Sequence, residues 1–475
     1  MGLALLAAAC SRGARPDILL VVCDTVRADH VSGDGYARPT TPEIDALGRD
    51  GAVYLDAYTP SPWTLPAHAS LFTGLYPSSH GADSGHLQID PSLPLLARRL
   101  HDAGYRTLAY VENPWVGKEY GFDAGFDTFD EIWRGVRGTE EDMGAARVSK
   151  AVESWLAWRD DNPDARRQPF FIFINYFEAH LPYNPPAEER SKFLRPAAGM
   201  SAADRDARVE RLRRFKHPEE VKQILGVGSL EPADFAILSD LYDGEIAYVD
   251  RHVGEVAGLL RRRGLLDRTV VAVTSDHGEM LGEHGLMDHK LSLYEPVLRV
   301  PMVLRYPPAI APGLRVESPV MLQDLYPTLL SLAGVDQGAP PAPAEGVRSP
   351  AFPPESRVLP GVTGLTPGPI RGASVEDPLI AEYAHPGEFL DAMKEVAQGA
   401  DLARWSRSLV AFRAAGEKLI WASDGRNELY DITSDPSESA QVDPTDPDAR
   451  HLAAHVEYWL SRPTLKPAFR PQERH

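Results

Sequence analysis

The sequence predicts a doubly wound α/β fold with a mixed, mostly parallel sheet, followed by a small antiparallel sheet and a closing helix. Three observations carry that prediction. Short apolar runs, β-branched in part, recur along the chain; helical patterns lie between them; and polar residues suited to chemistry follow the runs directly. The run at 18–23 (ILLVVC) is too short for a helix and suits a strand buried on both faces of a parallel sheet. Similar runs recur at 107–111, 170–177, 269–274 and 300–305. Helical patterns fall at 41–51, 66–73, 93–103, 140–158 and 232–263. Strands alternating with helices read as a doubly wound sheet, whose ligands sit beyond the carboxyl ends of the strands.

Two stretches differ from the rest. Residues 187–220, dense in Arg, Asp and Glu, read as a helical surface insertion that could serve as a lid. Residues 338–372, rich in Pro, Gly and Ala, read as a long connection. Beyond it, strands at 379–383, 408–413, 418–422 and 428–432, with a turn at 414–417, suggest the antiparallel sheet, and 448–461 the closing helix. The expected organisation is therefore 1–14, a leader-like segment; 15–337, the main α/β unit; 338–375, the connection; and 376–475, a C-terminal subdomain.

The chain has 475 residues and carries 49 Lys+Arg against 68 Asp+Glu, a formal net charge of -19. This balance argues against a nucleic-acid partner held by a broad basic surface. It leaves anionic substrates open, because a bound cation reverses the field locally. The two cysteines, Cys10 and Cys23, require no disulfide framework, and Cys23 at the end of a buried strand reads as core. No stretch reaches the ~20 apolar residues of a spanning helix. The opening MGLALLAAAC resembles the tail of a bacterial lipoprotein signal, which would place lipid on Cys10 and the chain on a membrane surface in the cell envelope or periplasm. The alternative is a frayed apolar tail.

Asp24 follows the first strand, and Asp276-His277 follow the strand at 269–274. Singly, such an Asp reads as a helix cap. At the tips of two strands together, these residues suit a metal, and a His/Asp mixture favours zinc or manganese over calcium. His180 follows a third strand, and His284 and His289 come shortly after His277. In PWTLPAHASLFTG (62–74), Thr64 precedes Pro66, a residue that favours the first turn of a helix. Thr64 is thus either an N-cap or a hydroxyl nucleophile at a helix N-terminus, where the dipole favours an oxyanion.

Seven strings in order, DILLVVCDTVRADHVSGDGYARPTTPEIDAL, PWTLPAHASLFTGLYPSSHGA, YDGEIAYVDRHVGEV, VTSDHGEMLGEHG, LYEPVLRVPMVLRYP, DLYPTLLSLAGV and NELYDITSDPSE, resemble the sulfatase branch of the alkaline phosphatase superfamily. The resemblance implies that 15–337 is a catalytic domain for phosphoric or sulfuric esters. Asp24, Asp276 and His277 would bind a divalent ion that also activates Thr64. His180 and His289 would hold substrate oxygens, protonate the leaving group, or bind a second ion with Glu178. Asn113, His68 and Lys290 would contact substrate. One ion or two is left open, as is whether the ester belongs to a small molecule, a glycan or a lipid. The chain departs from the family in one important respect. The motif that matures a Cys or Ser into formylglycine reads Thr64-Leu65-Pro66-Ala67-His68 here, and Thr cannot yield the aldehyde. A plain threonine alkoxide resembles instead the phosphodiesterase and head-group transferase branches, which pass through a phosphothreonine. A sulfatase fold without catalysis is the remaining alternative.

Overall fold

The computed structural model describes residues 15–135, 141–196, 199–337, 355–384, 386–399, 401–442 and 447–461. The expectation for Cys10 and part of the 338–372 connection lie outside the described residues.

Eight strands form the main sheet: β1 (Asp17–Cys23), β2 (Ala52–Tyr54), β3 (Arg106–Val111), β4 (Thr128–Glu131), β5 (Phe170–Tyr176), β6 (Thr269–Thr274), β7 (Met302–Arg305) and β8 (Leu314–Val316). Their order is β8-β2-β7-β6-β1-β5-β3-β4. β1 lies at the centre, parallel to β5 on one side and β6 on the other. β7 runs antiparallel to both its neighbours, which makes the sheet mixed but mostly parallel. The sequence expectation for the fold class is met. β2, β4 and β8, each three or four residues long, were not visible in the hydrophobic pattern.

Alternation along the strands divides the core in two. Ile18, Leu20, Val22, Phe171, Phe173, Val270 and Ala272 face α2 (Thr64–Thr73) and the helices Leu96–Asp102 and Leu325–Leu332. Leu19, Val21, Cys23, Ile172, Ile174, Val271 and Val273 face α1 (Pro42–Arg49), α3 (Ala145–Asp161) and the long α7 (Pro232–Arg262). A strand covered on both faces has no polar position to alternate with, which is why these runs are continuously apolar.

The 187–220 insertion folds as three helices, α4 (Ala187–Phe193), α5 (Ala202–Leu212) and α6 (His217–Ile224). The C-terminal sheet contains β9 (Leu379–Tyr383), β10 (Leu409–Ala414), β11 (Glu417–Ala422) and β12 (Glu428–Asp431), with α8 (Gly387–Val396) between its first two strands and α9 (Pro447–Leu460) closing it. This sheet is keyed to the region carrying Thr64. Glu382 of β9 accepts Ser78 N at 2.8 Å and Trp459 Nε1 of α9 at 2.7 Å. Lys418, buried on β11, reaches Glu295 at 2.9 Å and Glu438 at 2.7 Å.

Candidate active site

Asp24 leaves the tip of β1, Asn113 follows β3, Asn175 is the last residue but one of β5, and Asp276 and His277 follow β6. These four strands are neighbours, so one carboxyl edge gathers all five side chains. The exits are locked to one another. Thr25 N donates to Asp276 Oδ1 at 3.3 Å, Val26 N to Ser275 Oγ at 3.0 Å, and Tyr242 OH of α7 to Thr25 O at 2.6 Å. Thr25 adopts φ 58, a left-handed conformation that a β-branched residue resists by about 1–3 kcal/mol. Gly278 ends the turn after His277. A Cβ there would lie 2.0 Å from Pro296 O, so the backbone passes where no other residue fits.

α2 brings Thr64 to this edge. Trp63 occupies the N-cap position, Thr64 is the first helical residue, and no side chain caps the helix. The N-cap reading of Thr64 is thereby excluded. Every residue of α2 is buried, and Gly74 stops the helix with φ 74. Thr64 Oγ1 accepts Asn113 Nδ2 at 3.2 Å and lies 3.4 Å from His277 Nε2. Asn113 Nδ2 also donates to Asp24 Oδ2 at 2.6 Å.

Asp24, Asp276 and His277 form one buried group whose ligand atoms all lie within 4.8 Å of one another. His277 Nδ1 donates to Gly278 O at 3.0 Å, which leaves the Nε2 lone pair facing Asp276 Oδ2 at 3.3 Å. Asp24 Oδ1 and Asp276 Oδ2 are buried with no hydrogen-bond partner among the described residues. Two buried carboxylates side by side are costly without a cation between them. Burial, and then the charge of Asp276, push the Asp24 carboxyl well above its usual range. Burial opposes the charge of Asp276 as well, but His277 and His68 hold its carboxyl below the usual range. Burial pushes the His277 imidazole down to about 3, so the ring is neutral, as a metal ligand must be.

His68 is fully buried. Its Nδ1 lies 3.0 Å from Thr64 O and 3.4 Å from Asp276 Oδ2, and its ring packs on Phe122 and Phe173. It thus packs between the first turn of α2 and Asp276.

A second group forms from His180, Asp288 and His289. The His289 ring stands 4.2 Å from that of His277 and 5.1 Å from that of His180. His289 Nδ1 pairs with Asp288 and lies 3.5 Å from Glu279 Oε1, while Lys290 Nζ lies 3.6 Å from Asp288 Oδ2. Burial opposes a charge on His289, but Asp288 and then Glu279 overcome it and lift the imidazole to about 9. Burial, aided by the charge on His289, pushes His180 down to about 4.

Glu178 does not join this group. Its carboxylate accepts Ala145 N at the start of α3 (2.9 Å) and Phe177 N (3.1 Å), where the helix dipole favours it. Asp288 takes the place expected for it. The sequence reading missed Asp288 and Glu279, although both lie in the strings DHGE and MDHK that flank the named histidines. His284 is exposed and stacks on Tyr294 at 3.8 Å, outside both groups.

A sulfatase family model matches residues 16–335. The chain is 27% identical over 469 residues to the choline-sulfatase of Rhizobium meliloti (strain 1021), covering 89% of this chain and 81% of that protein. It is 28% identical over 356 residues to the uncharacterized sulfatase YidJ of Escherichia coli (strain K12), covering 68% and 69%. Among solved structures, the phosphonate monoester hydrolase of Agrobacterium radiobacter superposes with a TM-score of 0.68 at 22% identity, covering 94% of this chain and 95% of that one.

Proposed function

Since the chain belongs to the sulfatase family, we propose that it is a metal-dependent hydrolase of phosphoric or sulfuric esters with Thr64 as the nucleophile. The observation that carries this reading is the convergence of Thr64 Oγ1, the His277 Nε2 lone pair and the unpartnered oxygens of Asp24 and Asp276 in one buried site. These four residues would hold the cation, and the mixture of imidazole and carboxylate favours zinc or manganese over calcium. When bound, a divalent ion lowers the pKa of a coordinated hydroxyl and neutralises charge on the ester's non-bridging oxygens.

The residues divide the remaining work. Asn113 fixes the Thr64 oxygen and stands ready for an oxyanion. Thr64, its hydroxyl proton given up to solvent, attacks phosphorus in line through Oγ; the new Oγ–P bond forms as the bond to the alcohol oxygen breaks. His289, held protonated between Asp288 and Glu279, gives its proton to that departing oxygen, and His180 lies beside it. Water then gives a proton to the now neutral His289 as its oxygen attacks phosphorus; the Oγ–P bond breaks, Thr64 leaves as the alkoxide it began as, and His289 is again protonated. Phosphorus is favoured over sulfur because a plain threonine lacks the hydrated aldehyde that expels sulfate. One ion is favoured over two, because Asp288 already faces two cationic groups, His289 and Lys290.

A turnover panel of aryl phosphate monoesters, diesters, phosphonates and sulfates with zinc, manganese and calcium tests the reading. The expected result is phosphoester or phosphonate turnover with zinc or manganese, and a phosphorylated Thr64 peptide on rapid quenching. Sulfate turnover alone, or full activity after chelation, overturns it. Diversion of product onto an added alcohol would make the protein a transferase.

A further inference from the structure

The helical insertion that ends in α6 meets the candidate site at one residue. α6 packs against the short strand Met287–Asp288, which supplies the acidic partner of His289. Glu220, Val221 and Ile224 form the buried face of α6, while the adjacent Glu219 is exposed. An acid on that face, only 2% exposed, is costly unless it finds a partner. A third aliphatic residue would serve packing as well.

The groups around Glu220 show which partner that is. His217 Nδ1 lies 3.5 Å from Glu220 Oε2, outside ordinary hydrogen-bond range. Burial and then the charge of Lys290 push the His217 imidazole down, so it brings no cation at neutral pH. The Lys290 ammonium is drawn to Asp288, with Nζ 3.6 Å from Oδ2. The side chain that Glu220 hydrogen-bonds is Asp288. Two carboxyl groups bond to one another only when one of them holds a proton. Burial, and then the charge of Asp288, push the Glu220 carboxyl well above its usual range. Burial opposes the charge of Asp288 too, but His289 and Lys290 hold its carboxyl well below the usual range. The proton therefore sits on Glu220, and Asp288 is the carboxylate that receives it. Glu220 Oε1 is buried and accepts no hydrogen bond among the described residues, as suits an oxygen that donates. On its other side Asp288 Oδ1 accepts His289 N at 2.6 Å and pairs with His289 Nδ1. A rotation of the Asp288 carboxylate would carry that pairing with it, and the imidazole would lose its aim.

We propose that Glu220 is a positioning residue: by donating to Asp288 it fixes the carboxylate that orients His289 toward the departing alcohol oxygen. The proposal rests on the reading of His289 as the proton donor. Methyl phenyl phosphate and methyl dinitrophenyl phosphate, hydrolysed by the zinc-loaded full chain, separate positioning from packing. Phenol needs a proton to depart, and dinitrophenol does not. Glu220→Leu keeps the volume and removes the donor, whereas the amide N–H of Glu220→Gln donates as the acid does. The expected result for Glu220→Leu is kcat lower by about tenfold or more on the phenyl ester, with KM within about twofold, and a loss of no more than about threefold on the dinitrophenyl ester. Glu220→Gln should stay within about threefold on both. Glu220→Ala takes the place of Glu220→Leu if the latter does not fold. Equal losses on the two esters, or Glu220→Gln as impaired as Glu220→Leu, overturn the proposal. The same proteins are compared without substrate by proton NMR of the His289 Nδ1–H line, assigned with His289→Asn. The line should persist in Glu220→Gln and shift or disappear in Glu220→Leu. A line indifferent to Glu220→Leu, or missing from the parent protein, overturns the proposal. A line that depends on Glu220 in a protein that hydrolyses no ester would remove the proposed chemistry and leave the hold of Glu220 on His289 standing.

Discussion

Thr64 combines three circumstances that a capping threonine does not share: it lies inside the helix, its oxygen accepts from Asn113, and it faces a bare imidazole nitrogen. Thr64→Ala should lower turnover by on the order of 10³-fold or more, whereas Thr64→Ser should keep it within about tenfold, because only the hydroxyl is used. Steady-state rates with a phosphate diester read both; equal loss in the two variants would point to packing of the threonine methyl instead. Gly278 makes a second expectation. With a Cβ 2.0 Å from Pro296 O, Gly278→Ala must move the turn that aims His277, and a loss of about 2 kcal/mol or more in urea unfolding should accompany lost activity. At this scale, Asp24, Asp276 and His277 were legible because each directly follows an apolar run. Asp288 was not, because its placement depends on a left-handed backbone (φ 67) that brings the 287–289 hairpin back over the strand tips. The inward turn of His68 was equally hidden, since helical spacing says which face a residue shares and not what lies beyond it.

Elements are joined by buried carboxylates. Asp250 of α7 accepts Glu43 N at 3.0 Å and Ile44 N at 2.8 Å, clamping the first turn of α1. Burial pushes its carboxyl up to about 7, against an unfolded value near 3.9. A raised carboxyl pKa means that the folded state binds the extra proton. The stability it contributes is complete below the unfolded pKa and is lost as pH rises through the folded one. Between pH 6 and 8 this group alone should cost about 1 kcal/mol. Asp250→Asn should flatten that slope, and urea midpoints of both proteins at the two pH values test it; parallel slopes would show that Asp250 does not titrate there. The long helices and central strands were legible because their periodicity is sustained over many residues. Short β2, β4 and β8 were not, being held by pairing partners far away in sequence. α8 escaped notice for a related reason: its ten residues sit between two strands whose pattern dominates the region.

Across the whole molecule, the C-terminal sheet is fastened to the segments on either side of the helix that carries Thr64, with Glu382 N donating to Pro60 O at 2.8 Å and Ser78 N to Glu382 Oε2 at 2.8 Å. Lys418 is the most telling contact, an ammonium buried between Glu295 and Glu438, with Tyr58 OH bonded to Glu295 as well. Lys418→Ala would strand two buried carboxylates, and a loss of about 3–5 kcal/mol is expected in urea unfolding. A loss below about 1 kcal/mol would mean that water reaches the pair. The residues forming these contacts could be read as strand and helix, but not as a lock between distant parts of the chain. Ion pairs of this kind leave no periodic trace in a sequence.

That lock also orders events at the ribosome. Lys418 is made 123 residues after Glu295, an interval of about 6–25 s at ordinary elongation rates. Throughout it, the nascent polypeptide keeps open the apolar face that the sheet later covers, a surface attractive to chaperones and proteases. Codon speed between these two positions should therefore register in how much protein accumulates, while the specific activity of finished molecules stays the same.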